Sequence, residues 1–377
     1  MKILILAHNL RRGGGIVLGT NAITSILKVA PYHDYFFIVP KTPEYQHLDY
    51  GNKKVLFYSP RNLFGRFLFD STNLKEICKR YNPDFILGLG NFGLTKTGIK
   101  QAVLIQRAHL AYSDYRIKNV LKRIKTIIQI ARLKKMLPYI QMLLFQTETM
   151  KRRFLKRYGY EGEIFLFPNI MPNHPFNLID TPQFRILKQY KNHFKLLQLG
   201  AYYEHKNFEL AIKLFTKYRR ELNDVVLFIT ISPHAGVKAR KVLQDIQRHH
   251  LDRCIINIGP VEYSHLASCY NASDALFFPT LLESFSATYV EAMRFGLPII
   301  TSDLDFAHEI CGDAAIYFNP HSVESSKDAI IVLKDDLGLR RRLIEKGKLR
   351  LESFPSWDTS ISNLIKAMER LAQSKIT

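Results

Sequence analysis

Two glutamates separated by seven residues are the side chains whose type and spacing most directly suggest chemistry. Glu283 follows an apolar run that ends at Pro279, and Glu291 lies inside the helical pattern that comes next. A carboxylate accepts hydrogen bonds from two hydroxyl groups at once, which suits the vicinal diol of a sugar or a ribose. The spacing keeps the two residues off a shared helix face, so we expect them to bracket an extended ligand. The alternative is a loop charge and a solvated helix residue.

The residues between this apolar run and the helix predict an anion site. Ser284, Phe285 and Ser286 stand directly before the helical pattern, and either serine is a suitable N-cap. The free N–H groups and the positive dipole end of a helix attract anions. We therefore expect a phosphate-bearing ligand beside this turn.

The elements that must position these residues alternate along the chain. Apolar runs typical of buried strands occur at 2–7, 35–39, 54–58, 84–89, 102–106, 142–146, 194–200, 225–231, 254–259, 275–279 and 297–301. Helical patterns occur between several of them, and three more follow in the tail. Strands that alternate with helices predict parallel sheets covered on both faces.

The domain organisation follows from where this alternation is interrupted. Residues 168–193 hold four prolines with little periodicity, which indicates a connection. We predict an α/β protein with two doubly wound, Rossmann-like domains facing across a cleft. Their expected bounds are 1–173 and 194–355, with a linker at 174–193 and a C-terminal helix, 356–377, that crosses back to the first domain. Ligands of such sheets bind at the carboxyl ends of the strands.

The stretch around the two glutamates resembles retaining glycosyltransferases of family 4, which have the GT-B fold. The resemblance lies in E-x7-E followed by AMRFGLPIITSD, and in two segments that precede it. LGAYYEHKNFELAIKLF (199–215) is similar to the family's G-R-L-x-x-x-K-G/N segment, and IGPVEYSHLASCYNASDALFFPT (258–280) is similar to its G-x-V segment. The match is dense in the C-terminal half and loose in the N-terminal half.

The resemblance implies roles for individual residues in binding a nucleotide-sugar donor. Glu283 would hold hydroxyls of the transferred sugar, and Glu291 would hold the ribose diol. Lys206 would pair with the diphosphate, assisted by the backbone N–H groups of 284–286. Such groups stabilise the charge that a departing diphosphate gains. The glycine-rich RRGGG loop (11–15), and Gly15 in particular, would lie near the diphosphate, although a simple tight turn also explains it.

Other residues bear on the implied chemistry. His109 follows a strand at a point where the family often has a histidine near the transferred sugar, and its ring would hydrogen-bond a hydroxyl. Front-face transfer with retention requires no protein nucleophile, and we expect no metal and no cofactor. Asp303-Leu304-Asp305 is formally D-x-D, but its late position indicates a chance match or a helix cap.

The sequence departs from the family pattern at the diphosphate site. Ala201 occupies the position where the family usually has a second cationic residue, an arginine, and Ser286 stands where the family often has glycine. Arg11 or Arg12, in the N-terminal half, would then be candidates to supply the missing charge. The alternatives are weaker donor binding or reduced activity.

The positive charge is concentrated in the N-terminal half. The chain has 54 Lys+Arg against 33 Asp+Glu, and residues 1–180 hold 28 of the former and 11 of the latter, a net charge of +17. Such asymmetry indicates an anionic partner: a membrane surface, a lipid diphosphate or a nucleic acid. Ordinary solubility charge is the alternative.

One basic amphipathic helix carries much of this charge. Within 116–137, apolar residues recur at helical spacing beside Lys118, Lys122, Arg123 and Lys125. A helix of this kind is attracted to an anionic membrane surface. The alternative is a surface helix whose apolar stripe packs on its own domain.

Composition excludes several classes of protein. The 47% hydrophobic content excludes a mainly disordered chain, and four cysteines without a C-x-x-C pair exclude a disulfide scaffold and suit a reducing cytosol. The first apolar run is too short for a secretory signal. We expect a cytoplasmic protein, peripheral on the inner face of the membrane, that is soluble or surface-bound rather than integral.

The leading hypothesis is a retaining, metal-independent hexosyltransferase. It would move a sugar from a nucleotide-sugar donor to a lipid-linked, polysaccharide or lipopolysaccharide-type acceptor, with no nucleic acid as partner. One alternative is a nucleic-acid-binding protein, suggested by the isoelectric point of about 9.7. Another is a different enzyme of the same fold, such as a sugar epimerase or a phosphorylase.

Overall fold

The chain divides into two compact units. The computed structural model describes residues 1–374 except 12, 60–64, 66–68, 116, 118 and 169–177, with only the backbone described at Ser71. Unit 1 comprises Met1–Pro172 and Pro355–Thr377, and unit 2 comprises Asn173–Phe354.

Unit 1 is built on a seven-stranded parallel sheet with the order β3-β2-β1-β4-β5-β6-β7. Its central strands are mostly apolar and almost entirely buried, because helices cover both faces; the exceptions in residue type are Lys2, Lys100 and Gln101. The strands are β1 (Lys2–Leu6), β2 (Asp34–Val39), β3 (Lys54–Phe57), β4 (Phe85–Gly88), β5 (Lys100–Ile105), β6 (Met142–Phe145) and β7 (Glu163–Leu166). The described helices are α1 (Gly14–Val29), α2 (Pro43–Gln46), α3 (Leu74–Tyr81, after a π-helical turn at Phe69–Asn73), α4 (Ala108–Ala111), α5 (Val120–Met136), α6 (Glu148–Tyr158) and, at the C-terminus, α15 (Trp357–Gln373).

Unit 2 repeats this architecture with a six-stranded parallel sheet of order β10-β9-β8-β11-β12-β13. The strands are β8 (Phe194–Gln198), β9 (Val225–Ile229), β10 (Ile255–Asn257), β11 (Ala275–Phe278), β12 (Ile299–Ser302) and β13 (Ala315–Phe318). The helices are α7 (Pro182–Gln189), α8 (Phe208–Lys217), α9 (Val237–Arg248), α10 (Leu266–Asn271), α11 (Ala287–Arg294), α12 (Asp305–Cys311), α13 (Val323–Asp335) and α14 (Leu337–Glu352), with short 3₁₀ turns at Glu204–Lys206 and Tyr263–His265.

The predicted fold class is confirmed: both units are doubly wound, Rossmann-like α/β domains. The segment expected to be a linker, 174–193, differs from the prediction. Residues 174–177 lie outside the described part, but 182–189 form helix α7, whose Leu187 is fully buried. The Thr181 side chain caps this helix by accepting a hydrogen bond from the Phe184 N–H at 3.1 Å. A buried, capped helix is part of a domain rather than a spacer.

The C-terminal helix returns to the first domain, as predicted. Helix α15 packs on α1, and Trp357, Ile361 and Leu364 join the core of unit 1. Polar contacts fix its position: the Ser25 hydroxyl donates to Asp358 at 2.9 Å, and Arg370 pairs with Glu163 at 2.7 Å.

A core substitution in α15 tests whether this helix stabilises unit 1. We expect Leu364→Ala to lower the free energy of unfolding by about 3 kcal/mol, because the fully buried side chain leaves a cavity. Trp357 is the only tryptophan in the chain, so its fluorescence follows denaturant unfolding of unit 1 specifically. Lys366→Ala, an exposed change on the same helix, is the control. Equal unfolding midpoints for the two variants would contradict a stabilising role for α15.

Candidate functional site

The loop after β11 places Glu283 at the carboxyl edge of the unit 2 sheet. Strand β11 is fully buried and ends before Pro279, which has no N–H to continue a ladder. The Thr280 hydroxyl, completely buried, lies 2.9 Å from Glu283 Oε1 and 3.2 Å from the carbonyl oxygen of His205. The Leu281 N–H also donates to the His205 carbonyl, at 2.7 Å. These contacts join the Glu283 loop to the turn that carries Lys206.

Lys206 and Glu283 form a partly buried ion pair. Lys206 Nζ donates to Glu283 Oε1 at 2.7 Å, and each side chain is only 13% exposed. The ammonium also lies 4.2 Å from the centre of the Phe278 ring, a favourable cation–π distance. Burial alone would raise the pKa of Glu283, but the charges of Lys206 and His205 and the hydrogen bonds outweigh it and lower that pKa. Glu283 is therefore ionised at neutral pH.

The turn that presents Lys206 depends on Gly200. Gly200 has a φ of 138°, a backbone conformation that residues other than glycine rarely adopt. Its N–H donates to the Thr230 hydroxyl at 2.9 Å, which fixes the chain as it leaves β8. The Gln198 side-chain amide then donates to the Lys206 carbonyl at 3.0 Å. These two hydrogen bonds fix the backbone of the turn that presents Lys206.

Glu291 occupies a different environment from Glu283. It is 6% exposed on α11, and the Tyr270 hydroxyl donates to its Oε2 at 2.8 Å. Burial raises the pKa of Glu291, and the Tyr270 hydrogen bond and the Lys206 charge offset this only in part. The charge of Lys206 therefore acts on both glutamates.

Each glutamate keeps one oxygen for a ligand. In the part of the chain that the structure describes, the protein holds Oε1 of Glu283 and Oε2 of Glu291, and the second oxygen of each has no hydrogen-bond partner. A carboxylate fixed by one oxygen presents the other in a defined orientation to a hydroxyl group. Each glutamate can therefore accept a hydrogen bond from a hydroxyl group of a ligand.

The turn at which the sequence predicts an anion site precedes α11 as expected, with one difference in capping. Ser286 is the N-cap residue of α11, yet its side chain makes no capping hydrogen bond. The Ser286 side chain therefore does not occupy the first N–H groups of the helix, which favours an anion there. Ser284 precedes this cap, and the Phe285 ring is buried against Phe354.

Ala201 supplies no positive charge, and His205 is the residue whose charge acts on Glu283 together with that of Lys206. His205 lies next to Lys206, its charge acts on Glu283, and its ring stacks on Tyr203. The earlier candidates belong to unit 1: Arg11 Nε donates to the His8 carbonyl at 3.1 Å, and Arg12 lies outside the described residues. A histidine directly before the motif lysine was the available sequence signal, and it was missed.

Gly15 and His109 lie on separate elements of unit 1. Gly15 is in the first turn of α1, directly after Gly13 and Gly14. His109 lies in the short helix α4, and its pKa is lowered by burial and by the charges of Arg107 and Lys122. A neutral imidazole at neutral pH suits hydrogen bonding to a hydroxyl.

Helix α5 presents its apolar stripe to solvent. Val120, Leu121, Ile124, Ile127 and Ile128 are between 49% and 77% exposed. Lys122, Arg123 and Lys125 on the same helix are also exposed, whereas Lys118 lies outside the described residues. The helix is anchored at its other end by Leu133 and Met136, which are buried. The alternative in which the stripe packs on its own domain is therefore wrong.

Two negative findings apply to the described residues only. No group of three or more His, Cys, Asp or Glu side chains is arranged to hold a metal ion. No described helix has the length and hydropathy needed to cross a membrane. Asp305 of the D-x-D sequence is the first residue of α12, and Asp303 contacts His308 at 2.6 Å.

Part of the chain is similar in sequence to known glycosyltransferases. The family model described as Glycosyl transferases group 1 matches residues 180–350. O-antigen chain mannosyltransferase RfbU of Salmonella typhimurium is 28% identical over 155 residues, which are 41% of this chain and 42% of that protein. The chain thus aligns with about two fifths of the length of this relative and of an O-antigen chain mannosyltransferase of Escherichia coli.

Solved structures match nearly the whole chain. A glycosyltransferase from Rickettsia africae ESF-5 has a TM-score of 0.73 at 16% identity and covers 99% of both chains. Anabaena Alr3699/HepE, solved in complex with UDP and glucose, has a TM-score of 0.74 at 13% identity over 98% of this chain and 100% of that one. The sequence match therefore shows that residues 180–350 are similar to the group 1 glycosyltransferases, and the structural matches show that the chain has the GT-B fold.

Proposed function

We propose that the protein is a retaining hexosyltransferase that transfers a sugar from a nucleotide-sugar donor to a lipid-linked or lipopolysaccharide-type glycan. The observation that carries this proposal is the Lys206–Glu283 ion pair, within electrostatic reach of Glu291. One cation thus pairs with Glu283 and acts electrostatically on Glu291, and each carboxylate has a free oxygen. Similarity to an O-antigen chain mannosyltransferase supports a hexose donor and a polysaccharide acceptor.

Different site residues bind different parts of the nucleotide-sugar donor. Lys206 Nζ gives one of its three donors to Glu283 and has two left for diphosphate oxygens. The free N–H groups at the start of α11 add a positive dipole end. Glu291 holds the ribose diol, and Glu283, ionised at neutral pH, holds hydroxyls of the sugar. This arrangement suits a nucleoside diphosphate sugar better than a simple phosphate.

The transfer step exchanges one bond to the anomeric carbon for another. The bond from this carbon to the diphosphate breaks, and both its electrons leave with the phosphate oxygen. The acceptor hydroxyl attacks from the same face, and its proton passes to the departing phosphate oxygen. Lys206 stabilises the charge of the leaving group, and the transition state has oxocarbenium character. Glu283 orients hydroxyl groups of the sugar, and no step uses a metal ion.

Acceptor-dependent release of a nucleoside diphosphate tests this activity. A panel of UDP-, GDP- and ADP-hexoses is incubated with the protein and a lipopolysaccharide-type glycan, and proton NMR of the product reports the anomeric configuration. We expect release from one donor only when acceptor is present, with the configuration retained. An inverted product, or release without any glycan product, would contradict the proposal.

We further propose that helix α5 docks the enzyme on the anionic cytoplasmic face of a membrane. The exposed stripe supplies apolar area, and Lys122, Arg123 and Lys125 supply charge complementary to acidic headgroups. Each such cation contributes about 1 kcal/mol near the surface. The four cysteines are all unpaired, which suits a reducing compartment. This position gives the enzyme access to lipid-linked acceptors.

A vesicle-binding assay tests the role of the stripe. We expect Leu121→Glu combined with Ile128→Glu to reduce binding to vesicles containing phosphatidylglycerol by roughly tenfold or more, because the stripe loses two large apolar side chains and gains two negative charges. Leu349→Glu, at a similarly exposed leucine of α14 in unit 2, is the matched control. Unchanged binding in the double variant would contradict docking through α5. So would a dimer in the parent that the double variant breaks, because it would show that another chain covers the stripe.

A further inference from the structure

A cavity in unit 1 has a strongly basic lining that the donor site does not use. Its volume is about 220 Å³, and it opens between α3, the loop after β4 and the end of α5. Three cationic side chains and one carboxylate line it, together with small and apolar groups. The lining residues are Asp70, Lys75, Gly93, Leu94, Thr95, Arg132, Lys135 and Met136.

The carboxylate in the wall is already neutralised. Asp70 is 8% exposed; its Oδ1 lies 3.1 Å from His8 Nε2, and its Oδ2 accepts a hydrogen bond from Arg132 Nη2 at 2.7 Å. The ionised carboxylate therefore orients Arg132 without repelling an anion strongly. The guanidinium also lies 4.7 Å from the centre of the Phe92 ring, which further fixes its plane.

The other two cations lack protein counter-charges. Neither Lys75 nor Lys135 pairs with a carboxylate in the part of the chain that the structure describes. Arg132 uses one of its five N–H donors for Asp70, and its other guanidinium N–H groups are available to a ligand in the cavity. Thr95 adds a hydroxyl donor at the rim. The cavity thus offers a surplus of two positive charges and several donors, which is the chemistry that recognises a phosphoryl group.

We propose that this cavity binds a phosphoryl group of the acceptor, so that the enzyme selects a phosphorylated acceptor. The inference rests on the proposed function, because it assigns the phosphate to the sugar-accepting substrate. Two sources have this chemistry: a soluble sugar phosphate and the diphosphate of a lipid-linked glycan. Arg132 provides directional hydrogen bonds, and Lys75 and Lys135 provide charge. The His8–Asp70 contact links the cavity wall to the residues directly after β1.

Titration calorimetry of the full chain with inorganic phosphate and pyrophosphate tests the cavity itself. A saturating nucleoside diphosphate fills the donor site, so that added phosphate reports only other sites. We expect Lys75→Ala and Lys135→Ala each to weaken pyrophosphate binding by about tenfold. Lys79→Ala and Lys134→Ala remove exposed lysines of the same two helices that do not line the cavity, and we expect the parent affinity for both.

The outcomes separate failure of this inference from failure of the proposed function. If no nucleoside diphosphate binds, the proposed function fails. The cavity is then tested in the Lys206→Met, Glu283→Gln double variant, in which the anion site of unit 2 is removed by mutation rather than filled by a ligand. The inference is overturned if phosphate does not bind, or if cavity and control variants bind it equally.

A second arm identifies the source of the phosphoryl group. Glucose 6-phosphate is compared with phosphatidylcholine vesicles that carry a polyprenyl diphosphate. Dependence on Lys75 and Lys135 in the vesicle arm alone assigns a lipid diphosphate, and dependence in the soluble arm alone assigns a sugar phosphate. Dependence in neither arm overturns the inference.

Discussion

Lys206→Met is expected to lower the turnover number of sugar transfer by roughly a hundredfold to a thousandfold. The departing diphosphate gains negative charge in the transition state. Removal of one preorganised hydrogen-bond donor that stabilises such a charge typically lowers the turnover number by this factor. Lys206 is only 13% exposed, so water does not replace its charge efficiently. Steady-state kinetics with a saturating donor measure the effect, and Lys213→Met, on the exposed surface of α8, is the matched control.

The same substitution also leaves Glu283 as a buried charge without its partner. We expect this to destabilise unit 2 by about 3–5 kcal/mol, as is typical when one partner of a buried pair is removed. The Lys206→Met, Glu283→Gln double variant removes both charges and should recover most of that stability while turnover stays low. Full recovery of turnover in the double variant would show that the pair has only a structural role.

Glu291→Gln is expected to reduce nucleoside diphosphate affinity by roughly tenfold to a hundredfold at neutral pH. A neutral amide accepts weaker hydrogen bonds from the ribose diol than a carboxylate does. A thermal shift provides a first measurement, since ligand at 100 times its Kd stabilises the parent by about 2.7 kcal/mol. Glu262→Gln, at an exposed position in unit 2, is the control. Equal stabilisation of Glu291→Gln and the parent by the nucleoside diphosphate would show that Glu291 does not contact the donor.

The pH dependence of this affinity provides an independent test of Glu291. Burial raises the pKa of Glu291, and the diol binds the ionised form, so affinity should fall as pH decreases through that raised pKa. The fall should begin at a higher pH than for an ordinary glutamate. The diphosphate itself also titrates, and it does so equally in the parent and in Glu291→Gln. The difference between the pH profiles of affinity for these two proteins therefore reports the ionisation of the Glu291 carboxyl group.

Tyr270→Phe should move the profile in a defined direction. The Tyr270 hydroxyl donates to Glu291 and lowers its pKa, so its loss raises the pKa further. We therefore expect the pH at which affinity declines to rise in this variant, with little change at high pH. A decline at the same pH as in the parent would contradict the assignment of the titrating group to Glu291.

The strand and helix order was largely predictable because most strands here are continuous apolar runs. The two missed strands, β7 and β13, lie at the edges of their sheets and are only four residues long. Edge strands are half-buried, so their sequences EIFL and AIYF give a weak apolar signal. Helix α7 was missed within a proline-rich segment, although Thr181 followed by Pro182 is a recognisable helix start.

Motif spacing singled out Glu283 and Glu291, and the family resemblance singled out Lys206, but neither predicted the environments of these residues. Glu283 and Lys206 are 77 residues apart in sequence, and spacing alone does not show that they form a 2.7 Å pair. The opposite pKa shifts of Glu283 and Glu291 also depend on partners from other elements. The Asp70 contacts with His8 and Arg132 each span 62 residues and left no local signal.

The most direct test of the central claim is a crystal structure of the protein with a bound nucleoside diphosphate. We expect diphosphate density between Lys206 and the first turn of α11, with both ribose hydroxyls on Glu291. A nucleotide bound elsewhere, or bound with the Lys206–Glu283 pair and Glu291 untouched, would contradict it.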